Sequence, residues 1–145
     1  MNDVRAKFDD AELATVLSYF DVGTIINPWL VKGQIQGGIA QGAGQALLEE
    51  IVYEGDSGQL LSGSLMDYSL PRADMLPAIT IDFSPVPSTT NPLGAKGAGE
   101  GGTVASTPAV MNAILDAIAP LGTTDVSMPA TPERIWRALC GRAGG

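Results

Sequence analysis

The sequence predicts an α+β fold in which β-hairpins pack with a glycine-rich helix and two C-terminal helices, residues 1–145 forming a single unit. Three observations carry this prediction. Short apolar runs are bounded by turn residues, a long run opens on Asn27-Pro28, and an amphipathic stripe follows a glycine loop.

Val4–Phe8 and Leu13–Phe20 flank Asp9-Asp10-Ala11-Glu12, the pattern of a β-hairpin, and Asp21-Val22-Gly23 closes the second strand. Asn27 then supplies an N-cap and Pro28 a first-turn proline for a helix to about Leu48. Gly33, Gly37, Gly38, Gly42 and Gly44 lie inside it. Together they forfeit about 4–5 kcal/mol of helix propensity relative to alanine, so they are expected to mark close contact with another element or a ligand. Projected at about 100° per residue, Gln34, Gln41 and Gln45 fall on one stripe. Ile35, Ile39, Ala43 and Ala46 form the opposite, apolar side. The stripe is either a row of carboxamides able to read a heterocycle or an ordinary polar face.

Glu49–Tyr53 and Gln59–Leu61 bracket Glu54-Gly55-Asp56-Ser57-Gly58, a second hairpin signal. Ser62–Ala78 is irregular and Ile79–Phe83 alternates as a strand does. Pro85, Pro87 and Pro92 then prevent regular structure up to the glycine loop. The next helix, Thr103–Ala119, carries a core stripe of Val110, Met111, Ile114, Leu115 and Ile118. Thr131-Pro132-Glu133 opens a last helix through Leu139, with Trp136 expected to pack against the body.

Composition narrows the chemistry. With 145 residues, 45% of them hydrophobic, the chain is long enough to bury a core. A net charge of −8 argues against nucleic acid or an anionic membrane as partner. No apolar run approaches the roughly 18 residues of a membrane span, and Met1–Asp10 lacks a signal-peptide core, so a cytoplasmic location is expected. There is no histidine, and Cys140, a small buried or incidental thiol, is the only cysteine. Zinc sites and Ser-His-Asp or Cys-His chemistry are thereby excluded. Any metal used here must be held mainly by something other than protein.

One segment stands out as a candidate site. Gly94–Gly102 sets a single carboxylate, Glu100, among glycine and alanine, where backbone can approach a ligand more closely than a Cβ permits. The alternative is a flexible linker. Lys96 is followed by Gly97, which fails the P-loop pattern. Gly97–Gly102 matches G-x-G-x-x-G and opens a helix, yet no strand runs into it and no distal acid completes a dinucleotide fold.

These residues carry a resemblance. Asp21-Val22-Gly23 with Ile26-Asn27-Pro28, Gly33–Ala46, Met66-Asp67-Tyr68 with Leu70–Ala73, Asn91–Glu100 and Thr131–Arg137 occur in this order. Over about Asp21–Leu139 the chain resembles the C-terminal part of the molybdenum-binding subunit of the xanthine dehydrogenase/aldehyde oxidase family, and most resembles aerobic carbon monoxide dehydrogenase large subunits. The resemblance implies one part of a molybdopterin-binding domain. It implies Glu100 as the active-site base, Gln34 as a pterin contact, and Gly97, Ala98, Gly99 and Gly101 as backbone against the metal centre. The implied cofactor is molybdopterin with molybdenum, in its cytosine dinucleotide form. The implied chemistry is oxidative hydroxylation of an aldehyde, an N-heterocycle or a CO-like substrate: water supplies the oxygen, the substrate loses two electrons, and a desolvated glutamate takes a proton. Copper, where such enzymes use it, is held by a segment outside this chain. Implied partners are the remainder of the molybdenum subunit and FAD-binding and iron-sulfur subunits or domains. Family subunits are several-fold longer, so a truncated, non-catalytic cofactor- or partner-binding module is the alternative.

Overall fold

Asn27 begins the longest element in the way its sequence dictates. Its side-chain oxygen accepts from the Trp29 and Leu30 amides at 3.1 and 3.2 Å, and Pro28 occupies the first turn. In the computed structural model, which describes residues 16–141, the order is β1 (Val16–Phe20), α1 (Pro28–Leu47), β2 (Ile79–Phe83), α2 (Gly101–Ile118) and α3 (Pro132–Cys140). Short 3-10 turns lie at Ala73–Met75 and Ala119–Leu121.

The expected α+β class holds, and of the two predicted hairpins only the second lies wholly within the described residues. Val4–Phe8 lies outside the described residues. β1 pairs with β2, in parallel and in the register Val16↔Ile79 to Phe20↔Phe83. Local alternation specifies that a strand exists; its partner is chosen by what covers the sheet. Here α1 covers it. Ile35, Ile39 and Ile81 are buried together, with Phe20, Val31, Ile79 and Phe83 packed around them. The second predicted hairpin reduces to one antiparallel bridge, Tyr53↔Leu60, with the Glu54 amide donating to the Gln59 carbonyl at 2.8 Å. Its turn is closed by Glu54, whose carboxylate accepts from the Ser57 hydroxyl and amide; those bonds hold it below the ordinary glutamate value.

The α1 glycines divide into two groups. Gly38 and Gly42 face α2, where they meet Gly102, Thr103 and Ser106. A Cβ on Gly102 would lie 2.6 Å from the Ile35 carbonyl oxygen and 3.0 Å from the Ile39 nitrogen, backbone atoms that cannot rotate aside. Hydroxyls follow along the seam: Thr103 donates to the Gly38 carbonyl at 3.1 Å, and Thr107 reaches the Gly42 carbonyl at 3.3 Å. Gly44 is pressed by Pro71 and Glu49, and Glu49 also accepts from the Tyr68 hydroxyl at 2.5 Å, which raises the phenol above its usual range. Gly33 and Gly37 meet no other element within 4 Å, so of the two contacts expected for these glycines only a ligand is left to them. Helical periodicity puts them on a face that no other described residue covers.

A second core joins α2 to α3. Ile118, Val126 and Ala130 are buried, with Met111, Ile114, Leu115, Ile135, Ala138 and Leu139 against them. Thr131 caps α3 by accepting from the Arg134 amide at 3.3 Å. Arg134 then pairs with Glu50 beyond the end of α1, and the Ala130 amide donates to the Ala46 carbonyl at 2.6 Å.

Two further expectations are corrected. Trp136 is 63% exposed; it points away from the side of α3 occupied by Ile135, Ala138 and Leu139. Cys140 is a free, exposed thiol, so the buried alternative falls away. An 18-residue window within Gly101–Leu121 reaches a mean hydropathy of 1.3, although no uninterrupted apolar run there approaches a membrane span. The window is interrupted by Ser, Thr and Asn with little charge, which conceals it from a count of consecutive apolar residues. One face of the same helix is packed on α1 through Gly102 and Ser106.

Candidate functional site

The glycine segment has a fixed stem and an open tip. Gly94 takes a positive φ of 66°, a conformation that suits glycine, and its carbonyl accepts from the Thr24 amide at 2.9 Å. Ala95 forms an isolated bridge with Gly23. The Asn91 carboxamide grips the Ala95 backbone from both sides, donating to its carbonyl at 3.0 Å and accepting from its amide at 3.2 Å. The Lys96 amide donates to the Val22 carbonyl at 3.0 Å, and its ammonium sits 2.5 Å from an Asp21 carboxylate oxygen.

Asp21 gathers three segments. One oxygen accepts from the Gly23 and Val86 amides, each at 3.0 Å, while the other takes Lys96. The Lys96 hydrogen bond, followed by the two backbone amides, lowers its carboxyl from 3.8 to about 2.

Beyond Lys96 the constraints stop. Gly97 and Gly99 have nothing within 4 Å of where a Cβ would stand. Glu100 is exposed and occupies the N-cap position of α2 in helical backbone geometry, yet its carboxylate makes no capping bond. The side chain is thus free for an outside group. Its carbonyl accepts from the Val104 amide at 3.0 Å, which fixes the backbone that carries it. Gly101 packs beside the Phe20 ring. The apolar surroundings implied for a desolvated Glu100 are not built by the described residues.

Gln34 arrives from the other side. The Gly38/Gly42/Gly102 seam brings α1 against the start of α2, so the Gln34 carboxamide reaches the Gly99 carbonyl at 3.5 Å, a long hydrogen bond. Gln34, Gly99, Glu100 and Gly101 therefore share one exposed edge, and Gly97 and Ala98 lead into it. In the first turn of α2, the Gln41 carboxamide oxygen lies 3.3 Å from the Thr103 hydroxyl and shares its one hydrogen with the Gly38 carbonyl. Gln45 is exposed farther along α1. Gln36 points elsewhere, toward the Ile79 carbonyl of β2 at 3.5 Å.

This edge suits a heterocyclic cofactor that brings its own metal ligands. It offers a carboxamide, a carboxylate and side-chain-free backbone at the start of a helix. Among the described residues no group of three His, Cys, Asp or Glu could hold a metal ion. The sequence alone does not single out Asp21, Lys96, Asn91 or Thr103. Their signals are faint: an Asp-x-Gly turn, and the lone cation of a glycine run.

Comparison with known proteins places the chain among molybdenum enzymes by similarity. Residues 7–77 match the molybdopterin cofactor-binding domain family. The chain is 42% identical over 126 residues to the nicotine 6-hydroxylase large subunit of Paenarthrobacter nicotinovorans, covering 87% of this chain and 15% of that protein. It is 40% identical over 119 residues to the carbon monoxide dehydrogenase large chain of Hydrogenophaga pseudoflava, covering 82% and 15%. The crystal structure of quinoline 2-oxidoreductase from Pseudomonas putida 86 superposes with a TM-score of 0.83 at 43% identity, covering 91% of this chain and 17% of the other. The chain thus spans about one-sixth or less of the relatives it matches.

Proposed function

We propose, for a chain that belongs to the molybdopterin-binding family of the molybdenum hydroxylases, that it forms one wall of a cofactor pocket and supplies the base for oxidative hydroxylation. The observation that carries this reading is the meeting of Gln34 with the Gly99 carbonyl, one residue from a carboxylate with no capping bond. The molybdopterin group, in its cytosine dinucleotide form, supplies two-electron oxidation with water as the oxygen source when it is bound.

The chain's own residues then have separate tasks. Gln34 holds the pterin edge through its carboxamide, which can donate and accept at once. Gly97, Ala98, Gly99 and Gly101 present backbone that no side chain keeps at a distance. Glu100 takes up a proton on a carboxylate oxygen as water is activated, and hands it to solvent afterwards. Water exclusion falls to the remainder of the molybdenum subunit, because Glu100 is exposed among the described residues. Electrons leave through FAD-binding and iron-sulfur partners, and the substrate is an aldehyde, an N-heterocycle or a CO-like molecule. A second reading, a non-catalytic module that only binds cofactor or partner, is favoured by surfaces such as Trp29, 84% exposed, and Met66, 92% exposed.

Glu100→Gln in the assembled enzyme separates the two. Glutamine keeps the size and one acceptor oxygen but cannot take a proton at neutral pH, so turnover should fall by about 10²–10⁴-fold with molybdenum content unchanged. Near-normal rates at full occupancy would make Glu100 a bystander. Loss of metal together with rate would make it structural.

A further inference from the structure

We infer that Asp21 and Lys96 are a positioning pair that sets the path by which the chain delivers Glu100 to the site. The role of Glu100 as base rests on the function proposed for it, whereas the clamp itself is read from geometry alone.

Lys96 lies four residues before Glu100, and between them Gly97 and Gly99 have no side chain and nothing within 4 Å of a Cβ. A segment whose one tie before Glu100 is the long bond from Gln34 to the Gly99 carbonyl takes its path largely from its two ends. The downstream end is immobile, because Gly102 is pressed onto the Ile35 carbonyl and the Ile39 nitrogen. The upstream end is Lys96, held through its amide to Val22 and through its ammonium to Asp21. Asp21 in turn accepts from the Gly23 and Val86 amides, so one carboxylate joins the exit of β1, the proline segment and the glycine loop. The paired side chains keep 35% and 38% of their exposure. Partners this wet contribute little to global stability. Their effect is therefore local, on the direction of the loop.

The test uses the whole 145-residue chain, with backbone amide exchange and the carboxyl ¹³C resonance of Glu100 as readouts. Lys96→Met and Asp21→Asn should each speed exchange at the hydrogen-bonded Ala95 and Lys96 amides by about three- to fivefold, the effect of losing one exposed ion pair. Both should also move the Glu100 resonance. Amides of Ile39 and Ile118, in the two cores, should exchange as before, and Lys96→Arg should restore the loop. If Asp21→Asn fails to fold, Lys96→Met decides, since it leaves both backbone bonds of Asp21 in place. Unchanged loop exchange would overturn the inference. So would a uniform rise across α1 and α2, or no recovery in Lys96→Arg. An active Glu100→Gln enzyme would remove the base assignment and leave the exchange result standing; slow loop exchange in Lys96→Met would remove the clamp alone.

Discussion

Gln34 and Gln36 are two residues apart and chemically identical, yet they serve different neighbours. Gln34 reaches the Gly99 carbonyl and Gln36 the Ile79 carbonyl of β2. In an assembled enzyme, Gln34→Ala should lower cofactor occupancy by an amount equivalent to about 1–3 kcal/mol, the effect of leaving a buried polar group unpartnered. Gln36→Ala should lower it less; equal losses, read as molybdenum per protein, would contradict the division. Asp21 gives a prediction in pH. Its carboxyl is lowered from 3.8 to about 2, so its stabilising effect is complete above about pH 4 and is lost as pH falls toward 2. The extra exchange protection of the Lys96 amide in the parent over Asp21→Asn should therefore shrink in that acid window, and a constant difference would show that the pair titrates elsewhere. At this scale the sequence is informative where chemistry is local. Glu100 alone among glycines and Gln34 on a helical stripe are both visible in short windows. Asp21 and Lys96 are 75 residues apart, and no local pattern joins them.

Helices are the legible elements, and strand pairing is not. Asn27-Pro28 and Thr131-Pro132 fix their helix starts by side-chain caps that operate within three residues, so α1 and α3 begin where the sequence predicts. α2 starts at Gly101, inside the glycine run and not after it, because contact with α1 winds those glycines into the first turn. The partner of β1 depends on α1 lying across both strands, a tertiary condition that the alternation of Leu13–Phe20 does not encode. The two classes of glycine in and against α1 make opposite predictions. Gly102→Ala forces a methyl onto backbone and should destabilise by about 1–3 kcal/mol, as overpacking does. Gly37→Ala adds a methyl in open space within a helix and should stabilise the chain by about 0.5–1 kcal/mol. Denaturant midpoints of the two variants should move in opposite directions; a shared sign would mean that the α1–α2 seam is looser than these distances require.

Among the described residues, Ile26, Trp29, Leu30, Leu65 and Met66 are large apolar side chains left open. Such exposure accords with a chain that spans 15% of the nicotine 6-hydroxylase large subunit it matches. The isolated chain should therefore bind apolar dyes strongly and show no molybdenum-dependent dye reduction with aldehyde, purine or carbon monoxide; turnover by the purified chain would refute this. The same surface explains Trp136, whose amphipathic setting predicts burial that these residues alone do not provide. The two anchorages of the glycine segment have a last consequence. Lys96 is moored to the exit of the sheet and Gly102 to the middle of α1, so the residues between them span two fixed points of one packed core. A bridge between fixed piers tolerates changes of material better than changes of span. Inserting or deleting one residue shifts the carboxylate by up to about 3.5 Å, beyond the reach at which a base can meet its proton. On the role proposed for Glu100, the number of residues from Lys96 to Gly101 is thus a determinant of the site in addition to their identity.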